Sequence, residues 1–199
     1  MINTAGVEAD LKDYTKEHEA DFYEAKFVAG DPFKKVALKT MASEPRLDQV
    51  TCFQASTHYW SSEGAAQLKG SSFEKGTFLY QHALEYNYFF RLFMKKHATK
   101  CSLKHSCTME SSIVRLAQQI DASEGDPFTI NDVLQATFWV NSAEEIAAIY
   151  DELVGSWDIE MVKVENKMSE NKSINLKFIF CKGIVCQAHL RYGEKPAFE

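Results

Sequence analysis

Residues 129–140 read TINDVLQATFWV, and 141–154 read NSAEEIAAIYDELV. After them come WDIEMVKVENKM (157–168), SINLKFIF (173–180) and GIVCQAHLRY (183–192). Val133, Ala136, Phe138 and Val140 lie in a run rich in β-branched and aromatic residues, which predicts a strand. Ser142-Ala143-Glu144-Glu145 has the form of a capping box, so a helix is expected from about Ala143. Ile146, Ile149, Tyr150 and Leu153 form its apolar face, and Gly155 ends it. Ile159, Met161, Val162 and Val164 alternate with Glu160, Lys163 and Glu165 in the next segment. Ile174, Leu176, Phe178 and Phe180 alternate with Asn175, Lys177 and Ile179 in the one after. Lys182-Gly183 between two apolar runs is a hairpin signal with a two-residue turn. The stretch therefore predicts a βαβββ unit.

Upstream, the period is helical. Residues 7–28 alternate charges with Leu11, Tyr14, Phe22, Ala25 and Phe27, predicting an exposed helix with a narrow apolar stripe that suits docking on a partner. Gly30-Asp31-Pro32 is expected to break it. A second helix is expected from Ser43-Glu44-Pro45 to about Trp60, and a polar linker over 61–72. The third and longest helix should run over about 73–100, where Leu79, Ala83, Tyr86, Phe90 and Phe93 share a face. A fourth is expected over about 109–120, before a loop at Gly125-Asp126-Pro127. The fold class is thus α+β: a helical N-terminal region followed by a βαβββ mixed sheet packed with helices. The expected division is a helical extension over 1–72 and an α+β domain over 73–199, or one continuous domain.

Composition narrows the function. A formal charge of −6 argues against a general nucleic-acid binder, which needs a basic footprint. The opening stretch has no basic start followed by an apolar run, so no leader is expected. No segment reaches the ~20 apolar residues that span a bilayer. Five cysteines without framework spacing point to a reducing, intracellular compartment, by default the cytoplasm, with an organelle open.

In order and hydrophobic pattern, about residues 111–191 resemble the nucleotidyltransferase-like synthetase domain of the RelA/SpoT family. Asp132 stands where that family carries a magnesium-binding Asp at a strand start. Residues 183–190, GIVCQAHL, stand where its Glu-x-Gln motif lies. Gln187 thus replaces the Glu that helps bind metal and activates the nucleotide hydroxyl, and His189 replaces the motif's Gln. The family's Gly-Tyr-Arg segment has no counterpart in SENKSI (169–174), and Gln135-Ala136-Thr137 lacks the Arg that often follows the Asp strand. Gln187 cannot supply the negative charge a hard cation prefers, nor act as a general base. The residues left to represent the site are Asp132, Gln187 and His189 as catalytic candidates, and Arg115, Lys163 and Lys167 as nucleotide-binding candidates. The other reading of Asp132 is a polar strand-start or turn residue, and that of Gln187 with His189 a solvated sheet face.

His97, Cys101 and His105 are spaced by four, with Cys107 two further on, so a continuing helix would align the first three as candidate metal ligands. The other reading is a helix end with reduced thiols. Cys181 and Cys186 flank the hairpin turn without opposing each other and read as buried thiols. Cys52 and His58 lie six apart, on different helical faces, and make no nucleophile pair. His58-Tyr59-Trp60 and the Tyr86, Tyr88, Phe89, Phe90 cluster read as core packing before a binding surface.

The function expected from these residues is a catalytically degenerate RelA/SpoT-like domain, an accessory or structural subunit of a larger protein assembly, with no cofactor. The alternative is a nucleotide-binding or (pyro)phosphate-transferring enzyme using ATP or GTP and magnesium at a rearranged site. A module that binds a nucleotide without turning it over is a third reading.

Overall fold

The computed structural model describes residues 27, 30–42, 70–125, 130, 132–181 and 183–193. The helices expected over 7–28 and 43–60, most of the linker, and Cys52, His58, Asp126, Asn131 and Lys182 lie outside the described residues, apart from Phe27. After Gly30-Asp31 comes a helix that the sequence reading did not expect: α1 spans Pro32–Ala42. Proline suits a first helical position, where no backbone donor is needed. The Asp31 carboxylate accepts from the Phe33 amide at 2.9 Å.

The long helix α2, Ser72–His97, opens on a complete capping box between Ser71 and Glu74. It closes in a 3-10 turn, Ala98–Lys100. Next comes a strand that the sequence reading missed, β1, Lys104–Met109. The fourth expected helix is displaced accordingly and runs as α3, Ile113–Ala122. The βαβββ unit is present as β2 (Leu134–Val140), α4 (Ala143–Val154), β3 (Ile159–Lys167), β4 (Ser173–Phe180) and β5 (Ile184–Tyr192). A short helix, α5, Met168–Asn171, joins β3 to β4.

The five strands form one mixed sheet in the order β1-β2-β5-β4-β3. β2 and β5 run parallel, and the other neighbours are antiparallel. The fold class is therefore α+β. One sheet face carries Phe138, Leu176, Phe178, Phe180, Ala188 and Leu190, all essentially inaccessible. α2 covers them, with Phe90 and Phe93 set against Phe180 at ring distances of 5.6 and 5.2 Å. α4 packs on the same side, and α3 lies against α2, where Gly76 lets the two backbones approach.

α1 joins this core as well. Asn166 donates to the Ala37 carbonyl at 2.7 Å and to Thr40 Oγ1 at 2.8 Å. Phe33 meets the Tyr192 ring edge-on at 4.8 Å. Part of the expected N-terminal extension thus shares a core with the sheet. The β4–β5 connection is three residues, because Phe180 pairs with Ile184, and Cys181 takes φ +48°. His82 Nε2 donates to the Gly183 carbonyl at 2.8 Å and ties this hairpin to α2. Among the described residues, no helix is long and apolar enough to cross a membrane.

Candidate functional site

The other sheet face is polar, and strand register builds it. Alternation sends the odd-numbered residues of β2, β4 and β5 to this face. Its middle row is Glu165, Asn175, His189 and Thr137, successive partners across β3, β4, β5 and β2. One flanking row is Lys163, Lys177, Gln187 and Gln135; the other is Lys167, Ser173, Arg191 and Trp139. A bulge between Met161 and Lys163 adds one residue to β3 and brings Lys163, Glu165 and Lys167 to this face.

Two hollows meet at Asn175. One, of about 160 Å3, is lined by Lys163, Glu165, Asn175, Leu176, Lys177 and Gln187. The other, of about 360 Å3, is lined by Trp139, Lys167, Asn171, Ser173, Asn175, Arg191 and Tyr192. Among the described residues, the two linings together hold four cationic side chains, Lys163, Lys167, Lys177 and Arg191, and one carboxylate, Glu165.

Glu165 is held on the basic side. Lys163 Nζ lies 2.6 Å from one oxygen and Lys167 Nζ 3.6 Å from the other. The Lys163 hydrogen bond is the chief reason its carboxyl titrates below the ordinary range. Asn175 Nδ2 donates to Glu165 at 3.4 Å, which turns the Asn175 carbonyl toward His189 Nδ1 at 2.8 Å. An amide oxygen only accepts, so His189 carries its proton on Nδ1. Burial, then Arg191, lowers the His189 pKa, against smaller opposing effects of Glu165 and Asp132. His189 is therefore a neutral imidazole whose Nε2 lone pair is available as a base or ligand.

The structure brings together Lys163, Lys167, Gln187 and His189 of the expected set. Asp132 stands half-buried just before β2, close enough to act electrostatically on His189, and its backbone carbonyl accepts from Gln135 Nε2 at 2.9 Å. Arg115 is not part of the face: it sits on α3, 3.0 Å from Glu110.

The His97, Cys101, His105, Cys107 quartet is also corrected. The helix that would align it stops at His97, and His105 and Cys107 belong to β1. His97 Nδ1 faces Glu152 at 3.1 Å, Cys101 donates to the Trp139 carbonyl at 2.6 Å, and His105 stacks on Phe138. Burial raises the Cys101 and Cys107 thiols above their ordinary range, away from the thiolate that a metal takes. Among the described residues, no group of three or more His, Cys, Asp or Glu is placed to hold a metal ion. All the cysteines described are free thiols.

Sequence reasoning missed Glu165, Asn175, Lys177 and Arg191. Their signal was the polar half of each strand's alternation, which becomes a site only when register aligns the strands.

No family model and no curated protein matches the sequence. Solved structures do. The crystal structure of small alarmone synthetase 1 from Bacillus subtilis matches with TM-score 0.47 and 10% identity, over 56% of this chain and 69% of that one. The same synthetase bound to its product pppGpp matches with TM-score 0.48 and 11% identity, over 58% of this chain and 72% of that one.

Proposed function

We propose that the chain is a RelA/SpoT-like domain without pyrophosphate transfer, an accessory module whose basic sheet face binds a phosphate-bearing ligand such as a nucleotide. The observation that carries this reading is the central carboxylate, Glu165, paired to Lys163 and Lys167 with neutral Gln187 and His189 beside it. That set offers a hard dication little charge. Four cationic side chains and one carboxylate among the described residues line the two hollows, a local excess of positive charge, in a chain of net charge −6, that would attract anions.

A thermal-shift titration of the full chain with ATP, GTP and GDP, with and without magnesium, tests it. A ligand bound to the native state raises Tm by mass action. The expected result is a rise that does not need magnesium and shrinks in Lys163→Ala and Arg191→Gln. No shift at millimolar nucleotide would refute the ligand face and leave only the structural role.

The transferase reading rests on one observation: His189 is held neutral within electrostatic range of Asp132 and Glu165, and so can accept a proton. It requires a product from ATP and GTP with magnesium, lost in both Asp132→Ala and His189→Gln.

A further inference from the structure

His189 lies in the middle row of the polar face, between the two rows that carry its cations. The charged groups that face it are Arg191 on its own strand, Lys177 on β4, Asp132 just before β2, and Lys163, Glu165 and Lys167 on β3. Its Nδ1–H is given to Asn175 Oδ1 at 2.8 Å, and the Asn175 amide is turned that way by Glu165. A second proton can therefore enter only at Nε2. Among the described residues, Nε2 makes no hydrogen bond, and it is not sealed from solvent. The neighbours Asn175, Gln187 and Arg191 line the two hollows, so an anion seated in either comes close to the ring.

Burial is the chief obstacle to a positive charge on this ring, and Arg191 adds to it, while Glu165 offsets part. A bound anion changes that balance. It sets negative charge among the cations, so an imidazolium beside it is less costly. Linkage makes the effect mutual: whatever the anion adds to the hold of His189 on a proton, the proton adds to the hold of the face on the anion. Glu165 does not take part in the exchange, because Lys163 keeps its carboxyl below the ordinary range and so ionised in mild acid.

We infer that this face takes up a proton on His189 together with its anion, and so binds a phosphate-bearing ligand more tightly in mildly acidic than in basic solution. The inference rests on the ligand-binding reading above and adds the regulation of that site by pH.

Sulfate is the probe, because its charge does not change between pH 5.5 and 8, whereas that of a phosphate does. Histidine NMR of the full chain, titrated with sodium sulfate against sodium chloride at equal ionic strength, reads both the dissociation constant and the titration of each imidazole. His189 is assigned by the signal missing from His189→Gln. The expected result is that His189 titrates at higher pH with sulfate bound, and that sulfate binds at least about fivefold more tightly at pH 5.5 than at pH 8, the low end of coupling between two sites. In His189→Gln most of that gain should disappear. Binding that weakens in Lys163→Ala but is equally tight at both pH values would overturn the inference and leave the ligand face standing. A pH dependence kept in full by His189→Gln would overturn it as well. So would a chain that binds no sulfate at either pH, and the nucleotide titration above then says whether the ligand face itself survives.

Discussion

His189 sets the pH behaviour of the polar sheet face. Burial holds its pKa below the ordinary 6.5, so the folded protein binds its proton more weakly than the unfolded chain does. Its stabilising contribution is complete above about pH 6.5 and is lost as pH falls from there through the folded value. Unfolding free energy from urea titrations should therefore drop between pH 7.5 and 5.5 more steeply in wild type than in His189→Gln, which keeps a polar group but does not titrate. Equal slopes would show that His189 is not held neutral. The sequence offered His189 as a candidate, but not its tautomer. That depends on Asn175 and Glu165, which are 14 and 24 residues away in the chain and neighbours only through strand pairing.

At the scale of elements, the α2–α3 contact turns on one small residue. A Cβ at Gly76 would lie 3.1 Å from the Ala117 nitrogen and 3.2 Å from the Ile113 carbonyl oxygen, both backbone atoms that cannot swing aside. Gly76→Val should therefore destabilise the protein by about 1–3 kcal/mol, the usual cost of overpacking. Chemical denaturation measures it, and a stability equal to wild type would mean that the helices can separate freely. Nothing local in the sequence marks Gly76, because its role belongs to the helix laid across it. The helix from Ala143 was legible through its caps, yet its capping box closes only halfway. Ser142 accepts from the Glu145 amide at 3.2 Å, while the Glu145 carboxylate accepts from the Ser102 amide and hydroxyl. The loop after α2 thus takes the acid that local rules assigned to the cap. β1 escaped notice for a related reason: KHSCTM has too few apolar residues to show alternation, and pairing with β2 makes it a strand.

Across the whole molecule, the core is continuous from α1 through the sheet to α2 and α4, so local opening should not expose its centre. Cys186 reports on this. It is fully buried on the core face, with its thiol pKa pushed far up by burial, whereas Cys181 in the hairpin loop is exposed. Alkylation followed by mass spectrometry should find Cys181 modified in the native protein and Cys186 modified only at the rate of global unfolding. Comparable rates would show that the β4–β5 hairpin opens independently. The sequence by itself determined the α+β class, the β2–α4–β3–β4–β5 order and the inward residues, because period and caps are local properties of consecutive residues. Even the β3 bulge left a trace, in the adjacent apolar residues Met161 and Val162. Only the tertiary structure decided the order of strands across the sheet, the gathering of Lys163, Lys167, Lys177 and Arg191 on the polar face that carries Glu165, and the dispersal of the His97 to Cys107 quartet. Those outcomes depend on which strand pairs with which and in what register, an energetic choice made between segments far apart in the chain.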